Sequence, residues 1–389
     1  MDFNDSKDEA AFRAEAAAWL KDNVPSKDEL AGLDELAAAK LWQKRKYGAG
    51  WACIRWDKEY GGRGASAIEQ VIWNQEEAKY NVPAGFFVIG QGMAAPTLMT
   101  WGQAEHHARY LPKLASGEEI WCQLFSEPAG GSDLAALRTK AERDGDDWVI
   151  NGQKIWTSGA FTADWMFALV RTDFDTPKHE GISFVLLPMD QEGVTVKPIR
   201  LISGSSPFCE TFLDNAVAAK DDLVGELNKG WTVGKRLLQF ERSGIGGLSG
   251  GARPSEAGTS LPDIAKKYVG EAAGRISDPA IREKVTTLNM NRASFRLTAQ
   301  RANAENKSGT PGASTSIFKL YGAALQQNGA ELKRELMGFQ GLGVQGEGFN
   351  EHELTSVEEW LHTKATTIYG GSNEIQANII AKRVLGLPE

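Results

Sequence analysis

Trp121-Cys-Gln-Leu-Phe-Ser-Glu-Pro-Ala-Gly-Gly-Ser-Asp-Leu134, followed after a charged run by Ile150-Asn-Gly-Gln-Lys-Ile-Trp-Thr-Ser158, is the stretch from which the rest of the chain is read. Its first half is apolar up to Phe125 and breaks at Glu127-Pro128, because proline disfavours helix for the residue before it. Ala129-Gly130-Gly131-Ser132 then offers little side-chain bulk and many backbone N–H groups. Main chain of this kind can approach a flat or anionic ligand closely. In the second half, Trp148-Val149-Ile150 and Gln153-Lys154-Ile155-Trp156 flank Asn151-Gly152, a favoured type I′ turn pair, and the pattern predicts a hairpin there. Trp156-Thr157-Ser158 closes the stretch with an aromatic ring and two hydroxyls. Taken singly, each half also reads as an ordinary β-domain with a turn and buried tryptophans.

On either side of this stretch the periodicity changes. Ser6-Lys-Asp-Glu9 is a capping box, and Phe12, Ala16, Trp19 and Leu20 follow at helical spacing before Pro25. Helical segments continue to about residue 120, interrupted by the aromatic and glycine-rich run Trp51 to Gly64, a packed loop. Ala104 to Lys113 reads as a helix with Tyr110 and Leu111 inward. From 121 to about 228 the runs Asp164 to Arg171, Ile182 to Leu187 and Val194 to Lys197 are strand-like, separated by Gly, Pro and Asp. After Trp231 the helical pattern returns. Arg242 to Gly251 holds glycines at 244, 246, 247, 250 and 251, and intrinsic propensity argues against a stable helix there. Residues 252–262 read as a loop. Asp278-Pro279 is a helix start. Ser314 caps a further helix with Ile317, Leu320, Tyr321, Ala324 and Leu325 on one face. The last helix starts near Ser372, with Glu374 in its first turn and Lys382-Arg383 in its last.

With 389 residues the chain buries a large core, in two or three domains. Hydrophobic content of 42% and charged content of 24% are ordinary for a soluble globular protein. A net charge of −8 argues against nucleic acid as a partner. No apolar run approaches a membrane span, and the acidic N-terminus lacks a signal-peptide core. Three cysteines, Cys53, Cys122 and Cys209, make no disulfide framework, so a reducing cytoplasm is expected. Five scattered histidines and these cysteines show no metal-ligand spacing, and no metal is expected.

The two halves of the opening stretch, in that order and spacing, together with the ending Thr367-Ile-Tyr-Gly-Gly-Ser-Asn-Glu-Ile-Gln-Ala-Asn-Ile-Ile-Ala-Lys-Arg-Val-Leu-Gly-Leu-Pro388, resemble the acyl-CoA dehydrogenase family of flavoproteins. The likeness covers nearly the whole chain and is greatest to the large subunits of bacterial dehydrogenases acting on pimeloyl-CoA or on CoA thioesters of bulky acids. It implies an α+β acyl-CoA dehydrogenase fold: an N-terminal helical domain (1–120), a middle β-barrel-like domain (121–228) and a C-terminal helical bundle (229–389). It also implies FAD as cofactor, an acyl-CoA substrate, and an electron-transfer flavoprotein as electron acceptor.

Desaturating an acyl-CoA removes a proton from Cα and a hydride from Cβ. The proton needs a nearby carboxylate, desolvated enough for its pKa to rise from about 4.3 towards neutrality. In many family members that base is a Glu directly after the C-terminal Tyr, but here Tyr369 is followed by Gly370. A second family arrangement places the base just before an Arg in the helix after the β-domain, and Phe240-Glu241-Arg242 stands at that point. Glu241 is therefore the candidate base, with Arg242 a substrate contact. Read alone, Glu241 would be a helix carboxylate paired with a lysine or arginine. The Gly370 N–H can still serve as half of an oxyanion site, since that donor does not depend on the side chain. Gly370 and Gly371, with the glycines after Arg242, suggest room for a bulky, cyclic or polar-ended acyl group.

By the same resemblance the Phe125 main chain, the Ser126 hydroxyl, Trp156, Thr157 and Ser158 contact the flavin ring. Ser132 lies near the CoA pyrophosphate and FAD. Ser372 and Glu374 begin a helix whose N–H groups suit an anion. Trp156 read alone is a core residue, and Ser126 and Ser158 read alone are strand-edge serines. One departure concerns the family's Arg-x-x-Phe-Gly motif, whose Arg reaches the FAD of a neighbouring subunit. It is missing between 263 and 310, and Met337 to Gly341 only loosely matches a second such contact. An α2β2 assembly with a second dehydrogenase subunit thus stands beside the family's usual homotetramer. Two rivals remain: an oxidase or monooxygenase of the same fold, and a non-catalytic subunit of a heteromer.

Overall fold

The computed structural model describes residues 5–83, 85–245, 260–305 and 315–388. Its contacts group into two compact units, one of residues 1–199 with 206–241, the other of residues 200–205 with 242–389. The architecture is mixed: helical regions at either end of the chain and a sheet region in the middle.

In the first unit, α1 (Lys7–Asn23) starts at the Ser6–Glu9 capping box as the sequence predicts. It is followed by α2 (Glu35–Gly48), α3 (Ala67–Glu77), α4 (Ala95–Trp101) and α5 (Ala104–Ser116). The loop after α2 is packed: Trp51 stacks on Trp73 at 4.7 Å, and the Arg63 guanidinium lies 3.9 Å from the Trp51 ring. Such ring and cation contacts secure a segment with no ladder of its own. Tyr110 and Leu111 of α5 are buried, as expected from the helical spacing.

The sheet contains eight strands among the described residues. They are β1 (Trp121–Leu124), β2 (Lys140–Asp144), β3 (Asp147–Ser158), β4 (Trp165–Arg171), β5 (Ile182–Pro188), β6 (Val194–Ile199), β7 (Phe208–Ala219) and β8 (Leu223–Val224). The order is β6-β7-β3-β2-β4-β5-β8, with β1 parallel to β4. β4 is buried along its whole length, which its unbroken apolar run requires. The sheet packs on the helices through Tyr110, Trp121 and Trp165, whose rings meet within 5.8 Å. The Tyr110 hydroxyl donates to the buried Asp222 at 2.5 Å.

The hairpin expected at Asn151-Gly152 is not there. Both residues lie inside β3, a single strand of 12 residues. The turn falls earlier, where Asp144 pairs with Asp147 around Gly145-Asp146. Gly145 has φ +59° and is the first central residue of that two-residue loop, a place that favours glycine. Gly152 is needed for a different reason: a Cβ there would lie 2.8 Å from Thr139 Cα. It sits at a register shift between β3 and β7, so an Asn-Gly pair here marks a bulge in a strand.

α6 (Gly230–Ile245) continues past Arg242, against the propensity argument, so Arg242 to Ile245 are helical. The glycines at 246, 247, 250 and 251 lie outside the described residues, as does 252–259 of the expected loop. Residues 261 and 262 belong instead to α7 (Leu261–Tyr268), capped by the Ser260 hydroxyl. In the second unit α8 (Pro279–Glu305) starts at Asp278, whose carboxylate accepts from Ala280 and Ile281. α9 (Thr315–Met337) follows, and its expected cap Ser314 is outside the described residues. Its buried face is only partly the expected one: Leu325 is buried and Leu320 and Ala324 are partly so, but Ile317 and Tyr321 are exposed while Phe318, Lys319 and Ala323 are buried. The inward stripe runs through Phe318, Leu325, Leu332 and Leu336 at helical spacing, and the buried Lys319 beside it donates to the Gly371 carbonyl. α10 (Glu351–Thr363) and α11 (Asn373–Ile379) complete the unit, and Lys382 and Arg383 lie in a π-helical turn beyond α11.

Candidate active site

β3 ends in an irregularity. Its pairing with β7 shifts between Lys154 and Thr157, and Trp156 in the bulge has φ +63°. A bulky non-glycine residue in this region is strained by roughly 1–3 kcal/mol and persists only where the surroundings impose it. The result is an indole that is 53% exposed, with Phe208 edge-on at 6.1 Å. Trp156 is thus a flat ring offered outward from a rigid sheet, not core packing.

Beside it runs the segment Phe125-Ser126-Glu127, the continuation of β1. The Ile155 N–H donates to the Ser126 carbonyl at 2.9 Å. The fully buried Lys154 ammonium donates to three oxygens: Leu169 O at 2.7 Å, Glu127 Oε1 at 2.9 Å and Phe125 O at 3.2 Å. Glu127 also accepts from the Arg138 and Thr139 amides at 2.7 and 2.9 Å. Burial pushes the Glu127 carboxyl up, but Lys154 and Thr139 more than offset this and hold it below the usual range. The Pro128 to Ser132 turn beyond is exposed at Ser132, and a Cβ at Gly131 would meet nothing within 4 Å. The chain's own packing therefore does not demand glycine there, and the space in front of the loop is open.

On β1 itself, the Gln123 side chain donates to Glu241 Oε2 at 3.3 Å. Both side chains are half-buried. Extended backbone rises about 3.3 Å per residue, so Gln123 lies roughly 10 Å along the chain from Ser126. The α6 carboxylate is thereby tied to the segment that carries Phe125 and Ser126.

Two of the glycines singled out in the sequence lie in the second unit. Gly370 and Gly371 have φ +64° and +90°, two consecutive left-handed positions. A Cβ at Gly371 would lie 2.5 Å from Gln376 Nε2. The Gln376 amide donates to Gly370 O at 2.7 Å, and Lys319, 1% exposed, donates to Gly371 O at 2.7 Å. Glycine at 370 is thus set by backbone conformation, since an L side chain there costs about 1–2 kcal/mol. Ser372 caps α11 through the Ile375 N–H, and burial pushes the Tyr369 phenol up.

Models of the acyl-CoA dehydrogenase N-terminal, middle and C-terminal domains match residues 6–118, 122–216 and 228–385. The chain belongs to the acyl-CoA dehydrogenase family. It is 37% identical to the acyl-CoA dehydrogenase IpdE1 of Mycobacterium tuberculosis, over 98% of each chain. Among solved structures it resembles a Tcur3481-Tcur3483 steroid acyl-CoA dehydrogenase, with TM-score 0.83 and 29% identity over 100% of each chain. It also resembles the ChsE4-ChsE5 complex from Mycobacterium tuberculosis, with TM-score 0.80 and 27% identity over 100% of each chain. As an acyl-CoA dehydrogenase family member the chain is an oxidoreductase.

Against that family frame, Phe125, Ser126, Trp156, Thr157 and Ser158 come together at one end of β1 and β3. Thr157 is fully buried and its hydroxyl accepts from Thr211 at 3.3 Å. Ser132 lies on the exposed turn, and Ser372 and Glu374 at the start of α11. Sequence reasoning missed Gln123, Lys154, Glu127, Lys319 and Gln376. Polar residues inside apolar runs, such as Gln123 between Cys122 and Leu124, were the available signal. Among the described residues there is no cluster that could hold a metal ion, and no helix long and apolar enough to cross a membrane.

Proposed function

We propose that this acyl-CoA dehydrogenase uses FAD to desaturate the α,β bond of an acyl-CoA with a bulky, cyclic or dicarboxylic acyl group, with Glu241 as the α-proton base. The residues present suit a flat cofactor: an exposed indole on a strained bulge, and beside it a main-chain segment whose carbonyls are already engaged. Phe125, Ser126, Trp156, Thr157 and Ser158 would hold the isoalloxazine, with Ser132, Ser372 and Glu374 towards the phosphates. When bound, FAD supplies the acceptor for the Cβ hydride.

The chain's own residues do the rest. Glu241 takes the Cα proton, and the Gln123 amide orients its carboxylate from β1. The Gly370 N–H donates to the thioester oxygen as charge develops there. Its carbonyl and that of Gly371 are tied back by Gln376 and Lys319, so the turn is preorganised. By the family resemblance Gly371 and Arg242 would be substrate contacts. The observation that carries the reading is the Gln123–Glu241 bond, which draws the carboxylate to the strand that leads into the proposed flavin wall.

Two solved relatives are named for a steroid substrate class or as a two-protein complex, which supports a polycyclic acyl group and an α2β2 assembly over a homotetramer. Electrons would leave to an electron-transfer flavoprotein. Anaerobic titration of the yellow protein with a panel of CoA thioesters tests the reading: bulky substrates bleach the flavin and Glu241→Gln abolishes bleaching while still binding. Bleaching at an unchanged rate in that variant would end the assignment. Peroxide formed without an added acceptor would instead favour an oxidase, and a chain that holds no flavin until mixed with a partner would favour a non-catalytic subunit.

A further inference from the structure

The polar groups buried behind the candidate flavin wall have no role in the reaction as proposed. Lys154 is fully buried in the middle of a sheet, where an ammonium is costly unless paired and fully hydrogen-bonded. Here it is both. Its three acceptors come from two pieces of chain: the Phe125 carbonyl and the Glu127 carboxylate of the segment after β1, and the Leu169 carbonyl of β4. The segment after the Pro128 to Ser132 turn is held from β4 by Arg171, 5% exposed, which donates to Ala135 O at 2.6 Å and, on the other side, to Lys178 O at 3.0 Å in the loop before β5. Replacing a buried ion pair by apolar residues is often neutral or stabilising, so stability alone is a weak reason for this one.

Position supplies a better reason. Lys154 is two residues from Trp156, at the point where β3 leaves register with β7. Its ammonium holds the Phe125 carbonyl, and the next residue's N–H, Ile155, holds the Ser126 carbonyl. Consecutive residues of β3 thus grip consecutive carbonyls of the facing segment. The geometry points to Lys154, with Glu127 as its counter-charge, as a positioning residue: the pair locks Phe125-Ser126 to the Trp156 bulge, so that both walls of the flavin subsite exist before the cofactor arrives. This rests on the reading of Phe125, Ser126 and Trp156 as flavin contacts. Preorganisation of this kind shows as affinity, because ordering is not paid for at binding. It also explains why a strained Trp156 stays where it is: the strand on its N-terminal side is bolted to two others.

The test uses the full chain, purified with its FAD and any copurifying subunit, then stripped of flavin. Lys154→Met alone leaves Glu127 buried and unpaired, which can unfold the sheet. Lys154→Met/Glu127→Gln removes both charges and keeps volume, and Glu127→Gln alone keeps the two carbonyl contacts of Lys154. Amide exchange of the stripped protein over residues 123–127 and 154–157 reads the lock without cofactor. Quenching of FAD fluorescence on rebinding, and the visible absorption bands of the bound flavin, read the subsite. In the double variant we expect exchange at Ile155 faster by at least about tenfold, FAD bound at least about tenfold more weakly and shifted flavin bands. Its urea midpoint should stay near wild type, and Glu127→Gln should fall between. Unchanged exchange overturns the lock. Faster exchange with unchanged FAD affinity and bands overturns the positioning role while leaving the flavin reading intact. A wild-type protein that takes up no FAD overturns the flavin reading, and the positioning role falls with it.

Discussion

Gln123 and Glu241, separated by 118 residues of chain, meet side chain to side chain at 3.3 Å. The amide donates to the carboxyl oxygen, so the contact favours one orientation of that group. Gln123→Leu keeps the volume and removes the donor. A hydrogen bond to a charged group is worth about 1.5–3 kcal/mol, so kcat should fall by at least about tenfold with a smaller change in KM. Steady-state kinetics on the purified enzyme checks this, and an equal loss in KM alone would assign Gln123 to binding.

Trp156 is expected to serve a ligand at the expense of comfort in the fold. Trp156→Asn places a residue that tolerates left-handed φ at the bulge. Chemical denaturation should show stability within about 1 kcal/mol of wild type. FAD retention on gel filtration should drop sharply. A variant that loses stability and keeps its flavin would return Trp156 to a packing role.

Gly371 is held at φ +90° with the Gln376 amide 2.5 Å from where a Cβ would stand. Gly371→Ala must therefore both strain the backbone and displace the group that fixes the Gly370 carbonyl. A loss of about 2 kcal/mol in urea melts is expected. Activity should fall further than stability, because the oxyanion donor precedes this residue.

Burial pushes the Lys154 ammonium down to about 8, and the nearby Glu127 opposes that shift. Below that pH the lysine is charged in both the folded and the unfolded chain, and its penalty is constant. Between about 8 and its ordinary value of 10.5 the folded chain alone releases the proton, so the unfolded chain binds more protons and this group's contribution turns more favourable as pH rises. Glu127 and Arg171 face the site and keep their charges over this range. The urea midpoint of wild type relative to Lys154→Met/Glu127→Gln should therefore rise between about pH 7.5 and about 9.5. A difference that is flat with pH would show that Lys154 titrates normally.

The sequence by itself determined the order of helical, strand and helical regions, because periodicity, caps and proline breaks such as Glu127-Pro128 are local. Ser6, Asp278 and Ser372 act as caps where their spacing puts them. It also carried the family, since the match runs through three separated motifs. It misread Asn151-Gly152: the pair suits a turn, but contact with Thr139 across the strands makes it a bulge. Likewise the inward face of α9 runs through Phe318, Leu325, Leu332 and Leu336 and carries Lys319 in with it, where its ammonium finds the Gly371 carbonyl.

Tertiary structure alone decided which polar residues work together. Gln123 meets Glu241, Lys154 meets Glu127, and Gln376 meets Gly370; the sequence singled out Glu241 and Gly370 but the partner of neither. Hydrogen-bond partners far apart in sequence leave no periodic trace, because a directional contact depends on two backbones being brought within about 3 Å. The exposed ring of Trp156 is the same kind of fact: composition marks a tryptophan for the core, and only a register shift with φ +63° turns it outward.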